Sequence, residues 1–289
     1  MTYAKEYHQE KTQERSAGVD SKGLLYRPEH RGNAGAAGFD GIWICNDYRP
    51  IDPSTLEGLV RAARAGGADT LIRIGSNSYD DIVRMLCMGA TGLMVPHVGT
   101  PEQIRKVVSR AKFPPLRNRE LEPICADDDF GLTSLEEYIK QANDETFIVI
   151  QIEDVGAMGR VEEIAGIKGI DVLFVGSADL ALNMGIPGQV KDQKVLEAIR
   201  RVASACRGRG IHCGTPACDP EHCKRLLDEG VRFLTDSSDW RTLVSGFRQL
   251  KEAYGKLGLS FRQERSRLSP PWPPEAVRFL WGPLVLSMR

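Results

Sequence analysis

The chain has 289 residues, is 42% hydrophobic and 27% charged, and carries a net charge of −1. That balance leaves no electrostatic footprint for nucleic acid or an anionic membrane surface, and no uninterrupted apolar run is long enough to span a bilayer. Seven cysteines, an odd number scattered through apolar segments, and the polar opening MTYAKEYHQEKTQERS predict a reduced, cytoplasmic protein without a secretory signal.

From Gly38 onward, short apolar runs alternate with amphipathic ones. FDGIWIC (39–45) reads as a buried strand, and Pro53 to Ala65 as a helix stopped by Gly66 and Gly67. DTLIRI (69–74) is the next strand, followed by a helix over 79–88. TGLMVPHV (91–98) is a strand, and a helix over 101–111 opens on Thr100 and Pro101. An irregular stretch over 113–132 ends in the acidic ADDDFG. A helix over 135–143, the strand TFIVIQIE (146–153) and a helix through 161–167 follow. DVLFVGS (171–177) precedes a short helix in ADLALNMG and a long one over 190–207. HCGTPA (212–217), a helix over 220–229, FLTDSS (233–238) and a helix over 240–254 complete the series.

Seven continuous apolar strands, each followed by helix, imply a parallel sheet covered on both faces. Seven units in about 220 residues fit a (β/α)8 TIM-type barrel better than a doubly wound sheet, and no G-x-G-x-x-G follows a strand. The eighth strand should precede Gly38, where GLLYR (23–27) is the only candidate and RGNAGAAG (31–38) would make a poor full helix. An irregular first βα unit is expected. The organisation read from the sequence is an irregular N-terminal segment over 1–37, a barrel over 38–258 and a Pro-rich C-terminal extension over 259–289, which docks on a partner subunit or on outer helices, or is loosely held.

In such a barrel, chemistry sits at the C-terminal ends of the strands. Glu153 ends one strand, and Asp179 follows the next, 26 residues on. Two carboxylates from neighbouring strand ends suit Mg²⁺ or Mn²⁺; the competing reading makes Glu153 and Asp154 loop acids and Asp179 a helix cap. GSAD (176–179) brings small residues and free backbone N–H groups to a helix start, either to receive a carboxylate or as an ordinary turn. Arg73, at the end of an apolar strand, must be paired or face a site.

In order, GFDGIWI, LIRI, GATGLMVPHV, VIQIE and VLFVGSADLALNMGIPGQ resemble the metal-dependent (class II) pyruvate aldolases of the HpcH/HpaI type, over roughly 38–256. The resemblance implies a barrel of the phosphoenolpyruvate/pyruvate kind and a homo-oligomer, a hexamer or trimer. It implies a carbon–carbon lyase that cleaves a 4-hydroxy-2-oxo acid to pyruvate and an aldehyde through a metal-stabilised enolate. Glu153 and Asp179 would hold the metal (Mg²⁺ or Mn²⁺, with Co²⁺ as an alternative) and Gln151 would sit beside it. Arg73 would bind the pyruvyl oxygens, and the backbone from Ser177 through Ala178 to Asp179 would hold the carboxylate. Small molecules are the expected partners, with no nucleic acid and no membrane.

The match breaks at the base that must take the C4-hydroxyl proton. The family's histidine falls on Tyr48, in CNDYRP, and its aspartate partner on Cys87. A phenol of ordinary pKa about 10 is a poor base at neutral pH. Three explanations compete: Tyr48 or a water does the work for another substrate, His97 replaces the base, or aldolase activity is lost. A 2-oxo acid decarboxylase, which needs no hydroxyl base, is the alternative enzyme; a homologue that binds metal and 2-oxo acid without turnover is the alternative outside catalysis. HCGTPACDPEHC (212–223) has cysteines and histidines, but its C-x4-C-x3-H-C spacing is not that of a standard zinc site, and ADDDFG reads as a solvated acidic loop.

Overall fold

The computed structural model describes residues 32, 34–48 and 51–259, together with the backbone of 18–22. Eight parallel strands are hydrogen-bonded in the order β1-β8-β7-β6-β5-β4-β3-β2. They are β1 (Gly18–Lys22), β2 (Gly41–Cys45), β3 (Asp69–Arg73), β4 (Gly92–Val95), β5 (Phe147–Ile152), β6 (Val172–Val175), β7 (His212–Pro216) and β8 (Val231–Ser238). Ten α-helices connect or follow them among the described residues: α1 (Pro53–Ala65), α2 (Tyr79–Cys87), α3 (Pro101–Ala111), α4 (Leu135–Glu145), α5 (Val155–Gly159), α6 (Val161–Ala165), α7 (Ser177–Asn183), α8 (Gln193–Cys206), α9 (Pro220–Asp228) and α10 (Asp239–Gly255).

All seven strands read from Gly38 onward are present. The edge strand before them lies at Gly18–Lys22 and pairs with β8, from Gly18 with Phe233 to Lys22 with Ser238. Its sequence, GVDSK, has little of the apolar pattern of a strand, so its place is decided by the open edge of β8. The expected candidate at 23–27 lies outside the described residues, as does the Pro-rich tail from residue 260.

The helices start where local chemistry starts them. Asp52 accepts from the backbone N–H groups of Ser54 and Thr55 with Pro53 at the first helical position, and α1 runs over the expected 53–65. Thr100 and Gln103 form a capping box that opens α3.

The sheet is curled, as its side chains show. Trp43 on β2 meets Phe174 on β6 edge-on at 5.5 Å, although the two strands are four ladder steps apart. In a flat sheet that separation is about 19 Å. Trp43, Leu71, Met94, Val149, Val172 and Phe174 form an inner cluster, with Phe147 and Phe233 packed against it. The alternate residues, such as Ile42, Ile72, Leu93, Ile148, Ile150 and Leu173, form the larger outer core beneath the helices. β1 and β2 lie beside each other within 8 Å, Cα to Cα, but among the described residues no ladder joins them.

Gly32 and Gly35 of RGNAGAAG serve close packing. Residues 34–36 form a helical turn. A Cβ on Gly35 would lie 2.4 Å from the Gly66 carbonyl oxygen, and one on Gly66 would lie 2.3 Å from that of Gly32. Gly66 itself has φ −82°, which any residue adopts, so its requirement is steric. Gly66→Ala is expected to lower stability by about 1–3 kcal/mol in denaturant melts; an unchanged midpoint would show that this segment does not dock on the α1 end.

Candidate active site

The period of two along β5 carries one face of the strand from packing to chemistry. Phe147 and Val149 belong to the inner cluster, Gln151 is buried above them, and Glu153 stands just past the strand end, 9% exposed. Asp154 turns away to cap α5, accepting from Ala157 N at 2.8 Å. The adjacent acids therefore have separate work, one inside the sheet mouth and one at a helix start. A Cβ on Gly176, after β6, would come within 2.8 Å of Glu153 Cγ, so a glycine there leaves room for the carboxylate.

Arg73, at the end of β3, is 1% exposed and organises the centre. Its Nε donates to Gln151 Oε1 at 2.7 Å. Its Nη2 lies 3.2 Å from Asp47 Oδ2 and 3.5 Å from Glu153 Oε1. Its Nη1 is 4.0 Å from Cys45 Sγ, and the guanidinium stacks on the Tyr48 ring at 4.9 Å. Burial opposes the charge, yet Glu153, Cys45 and Asp47 more than offset it, and the pKa of Arg73 is raised.

Glu153 has the opposite balance. Burial pushes its carboxyl above the ordinary value, Arg73 pulls it down, and the neighbouring charge of Asp179 pushes it up again. Asp179 lies in the first turn of α7, beside Ser177 and Ala178. Asn183, absent from the sequence reading, ties α7 to the end of β5 by donating to the backbone oxygens of Glu153 at 3.2 Å and Asp179 at 2.9 Å. Gln151 Nε2 is buried without a hydrogen-bond partner, two residues before Glu153 in the chain. Two like charges in proximity and an orphaned amide suit a hard divalent cation with a 2-oxo acid ligand.

Tyr48 and His97 stand at the rim, 61% and 53% exposed, with ring centroids 6.2 Å apart. His97 Nε2 lies 3.1 Å from Asp47 Oδ2, and His97 Nδ1 lies 3.7 Å from Glu153 Oε2. Asp47 was not singled out in the sequence. A carboxylate two residues past a strand end was its only signal.

Cys87 stands elsewhere. It lies 3.7 Å from Arg119 Nη2, among Cys125 and Asp127, and does not pair with Tyr48. Those three side chains are the only trio of potential metal ligands brought together among the described residues. Arg119 already enters that cluster, donating to Asp127 Oδ2 at 2.6 Å, and Tyr138 donates to the same oxygen at 2.9 Å. The cysteines of 212–223 do not converge: Cys213 is buried against Ile199, and His222 Nδ1 accepts from Cys218 N at 3.3 Å. The acids of ADDDFG are likewise used, Asp127 by Arg119, Asp129 by Arg64, and Asp128 by the backbone of Cys125 and Gly131.

A curled parallel βα sheet that gathers carboxylates and a buried arginine at its strand ends has the arrangement in which barrel enzymes place their chemistry. The HpcH/HpaI aldolase/citrate lyase family model matches residues 54–245, and the chain belongs to that family. It is 31% identical over 216 residues to 2-dehydro-3,6-dideoxy-6-sulfogluconate aldolase of Pseudomonas putida, covering 75% of this chain and 84% of the relative. It is 29% identical over 202 residues to hydroxypyruvate/pyruvate aldolase of Sagittula stellata, covering 70% and 79%. The HpcH/HpaI aldolase structure from Desulfitobacterium hafniense superposes with a TM-score of 0.78 at 27% identity, covering 88% of this chain and 97% of that one.

Removing Arg73 takes from Glu153 and Asp47 the buried cation between them and leaves, among the described residues, only the His97 imidazole beside both. Arg73→Met is expected to destabilise the chain by about 3–5 kcal/mol, and Arg73→Met/Glu153→Gln by clearly less. Denaturant melts check this; equal losses in the two variants would exclude an Arg73–Glu153 pairing.

Proposed function

We propose that the chain is a carbon–carbon lyase that cleaves a 4-hydroxy-2-oxo acid to pyruvate and an aldehyde. The observation that carries this reading is the meeting of Gln151 and Glu153 with the buried guanidinium of Arg73, with the charge of Asp179 acting on Glu153 from the end of the next strand. Curling of the sheet and the proximity of β1 to β2 support a closed eight-stranded barrel around it.

Glu153 and Asp179 are the residues that would hold Mg²⁺ or Mn²⁺. A divalent cation bound there supplies Lewis-acid polarisation of the 2-oxo group. Arg73 stabilises negative charge on the C2 oxygen as the C3–C4 bond breaks, where a preorganised charge is worth most. Its position is fixed by Gln151 and Asp47, so little reorganisation is needed when that charge develops. The first N–H groups of α7, at Ser177, Ala178 and Asp179, face the substrate carboxylate. Tyr48 covers the outer face of Arg73 and limits water there.

A second reading, decarboxylation of a 3-carboxy-2-oxo acid of the oxaloacetate type, draws support from one observation. Tyr48, at the expected position of the base, lies against Arg73 with its ring and is largely exposed. That reaction forms the same enolate and needs no hydroxyl base.

Self-association is part of the proposal. Leu243, Phe247, Leu250 and Tyr254 lie exposed along α10 at helical spacing. Phe247→Asp is expected to lower the particle mass in light scattering after gel filtration; an unchanged mass would remove α10 from the interface.

Pyruvate release from 4-hydroxy-2-oxobutanoate, coupled to lactate dehydrogenase, tests the lyase. Chelation should abolish it and Mg²⁺ or Mn²⁺ should restore it. Glu153→Gln should lower it by about 100-fold or more. Activity that survives both chelation and Glu153→Gln would sink the reading.

A further inference from the structure

We infer that His97, oriented by Asp47, is the general base that takes the C4-hydroxyl proton. The inference rests on the lyase reading and assigns the one role that reading leaves open.

Four observations converge. His97 has φ +59°, a left-handed conformation that a non-glycine residue rarely keeps. Strain of this kind persists where the surroundings over-determine it, often at functional sites. Here it occurs two residues past β4, at the mouth of the sheet. Second, His97 Nε2 is 3.1 Å from Asp47 Oδ2. Asp47 is itself held by Arg73 and only 10% exposed, so it is a fixed acceptor. Asp47 is the nearer of the two carboxylates that face the ring, and in the tautomer with the hydrogen on Nε2 the Nδ1 lone pair can accept a proton. Third, Nδ1 faces inward, 3.7 Å from Glu153 Oε2. The free nitrogen therefore points to the carboxylate around which substrate would sit. Fourth, the imidazole is 53% exposed, so a substrate hydroxyl can reach it. Tyr48 turns its ring to Arg73 and its edge to His97, and it has no comparable orienting carboxylate among the contacts described.

The step balances without a further reagent. The C4–OH proton passes to His97 Nδ1, and the O–H electrons form the aldehyde C=O. The C3–C4 bond breaks, and its electrons form the enolate of pyruvate, with the charge on the C2 oxygen beside Arg73. The proton on His97 then returns, directly or through water, to C3, giving pyruvate and the neutral imidazole. A positioned base, an orienting carboxylate and a separate oxyanion partner are the parts this chemistry requires.

The test compares two reactions on one site. Cleavage of 4-hydroxy-2-oxobutanoate needs the base; decarboxylation of oxaloacetate forms the same enolate without a hydroxyl proton. His97→Asn is expected to lower cleavage about 100-fold or more while decarboxylation stays within about threefold. His97→Gly accepts the positive φ without strain, so it keeps the fold, and added imidazole should restore part of its cleavage rate. An equal fall in both reactions, or His97→Gly that imidazole does not rescue, would overturn the inference and make His97 a prop for Glu153. Selective loss of cleavage in Tyr48→Phe with His97→Asn intact would assign the proton to Tyr48 instead. Wild-type protein that decarboxylates but never cleaves would also overturn it, in favour of the decarboxylase reading. Wild-type protein inactive in both reactions would remove the lyase proposal itself, and this inference with it.

Discussion

A buried guanidinium at the end of a strand holds this site together. Arg73 is almost wholly shielded from water, and its charge is tolerable only because Glu153, Asp47 and the Gln151 oxygen surround it. Arg73 ends β3, and its partners come from β5 and from just past β2, so the pairing exists only when the sheet has curled enough to aim the three strand ends at one point. The inner cluster beneath, with Trp43 edge-on to Phe174, provides that curvature. Packing below and charge above are thus one arrangement: the aromatic floor sets the radius, and the radius sets the distances between the charges.

The acids divide along the same line. Glu153 keeps a raised pKa because it is buried beside another carboxylate, with Arg73 offsetting only part of the penalty. A site that concentrates negative charge around one fixed cation is incomplete as a purely structural ion pair. The unpartnered Gln151 Nε2 is a further group waiting for an acceptor. The cluster around Arg119, where Asp127, Tyr138 and Cys87 meet the guanidinium, also leaves Arg119 Nε and Nη1 and Asp127 Oδ1 without partners, so the two differ in the carboxylates gathered at the strand ends rather than in the orphaned atoms.

Relatedness to aldolases and the altered rim belong together in this chain. The resemblance implies Arg73, Gln151, Glu153 and Asp179 as the residues around an enolate, and it implies a histidine and an aspartate where the rim has Tyr48 and Cys87. Cys87 has moved into the Arg119 network, and Tyr48 has become a cover for Arg73. His97 and Asp47 bring an imidazole and a carboxylate back to the same mouth from different elements.

The sequence alone was enough for the alternation of strand and helix, for the limits of α1 and α3, and for Arg73, Gln151, Glu153 and Asp179 as strand-end residues. These are properties of period, capping and turn chemistry, each decided within a few neighbours along the chain. It did not reveal β1 at 18–22, because GVDSK has no strand pattern and is recruited by the exposed edge of β8. Nor did it show that Gly32, Gly35 and Gly66 meet, which depends on one segment lying across another. The partnership of His97 with Asp47 joins residues 50 positions apart through a backbone angle that favours glycine. Only the tertiary structure settles such a contact, since side-chain direction at a strand end follows from curvature and from φ, and neither is written in the local pattern.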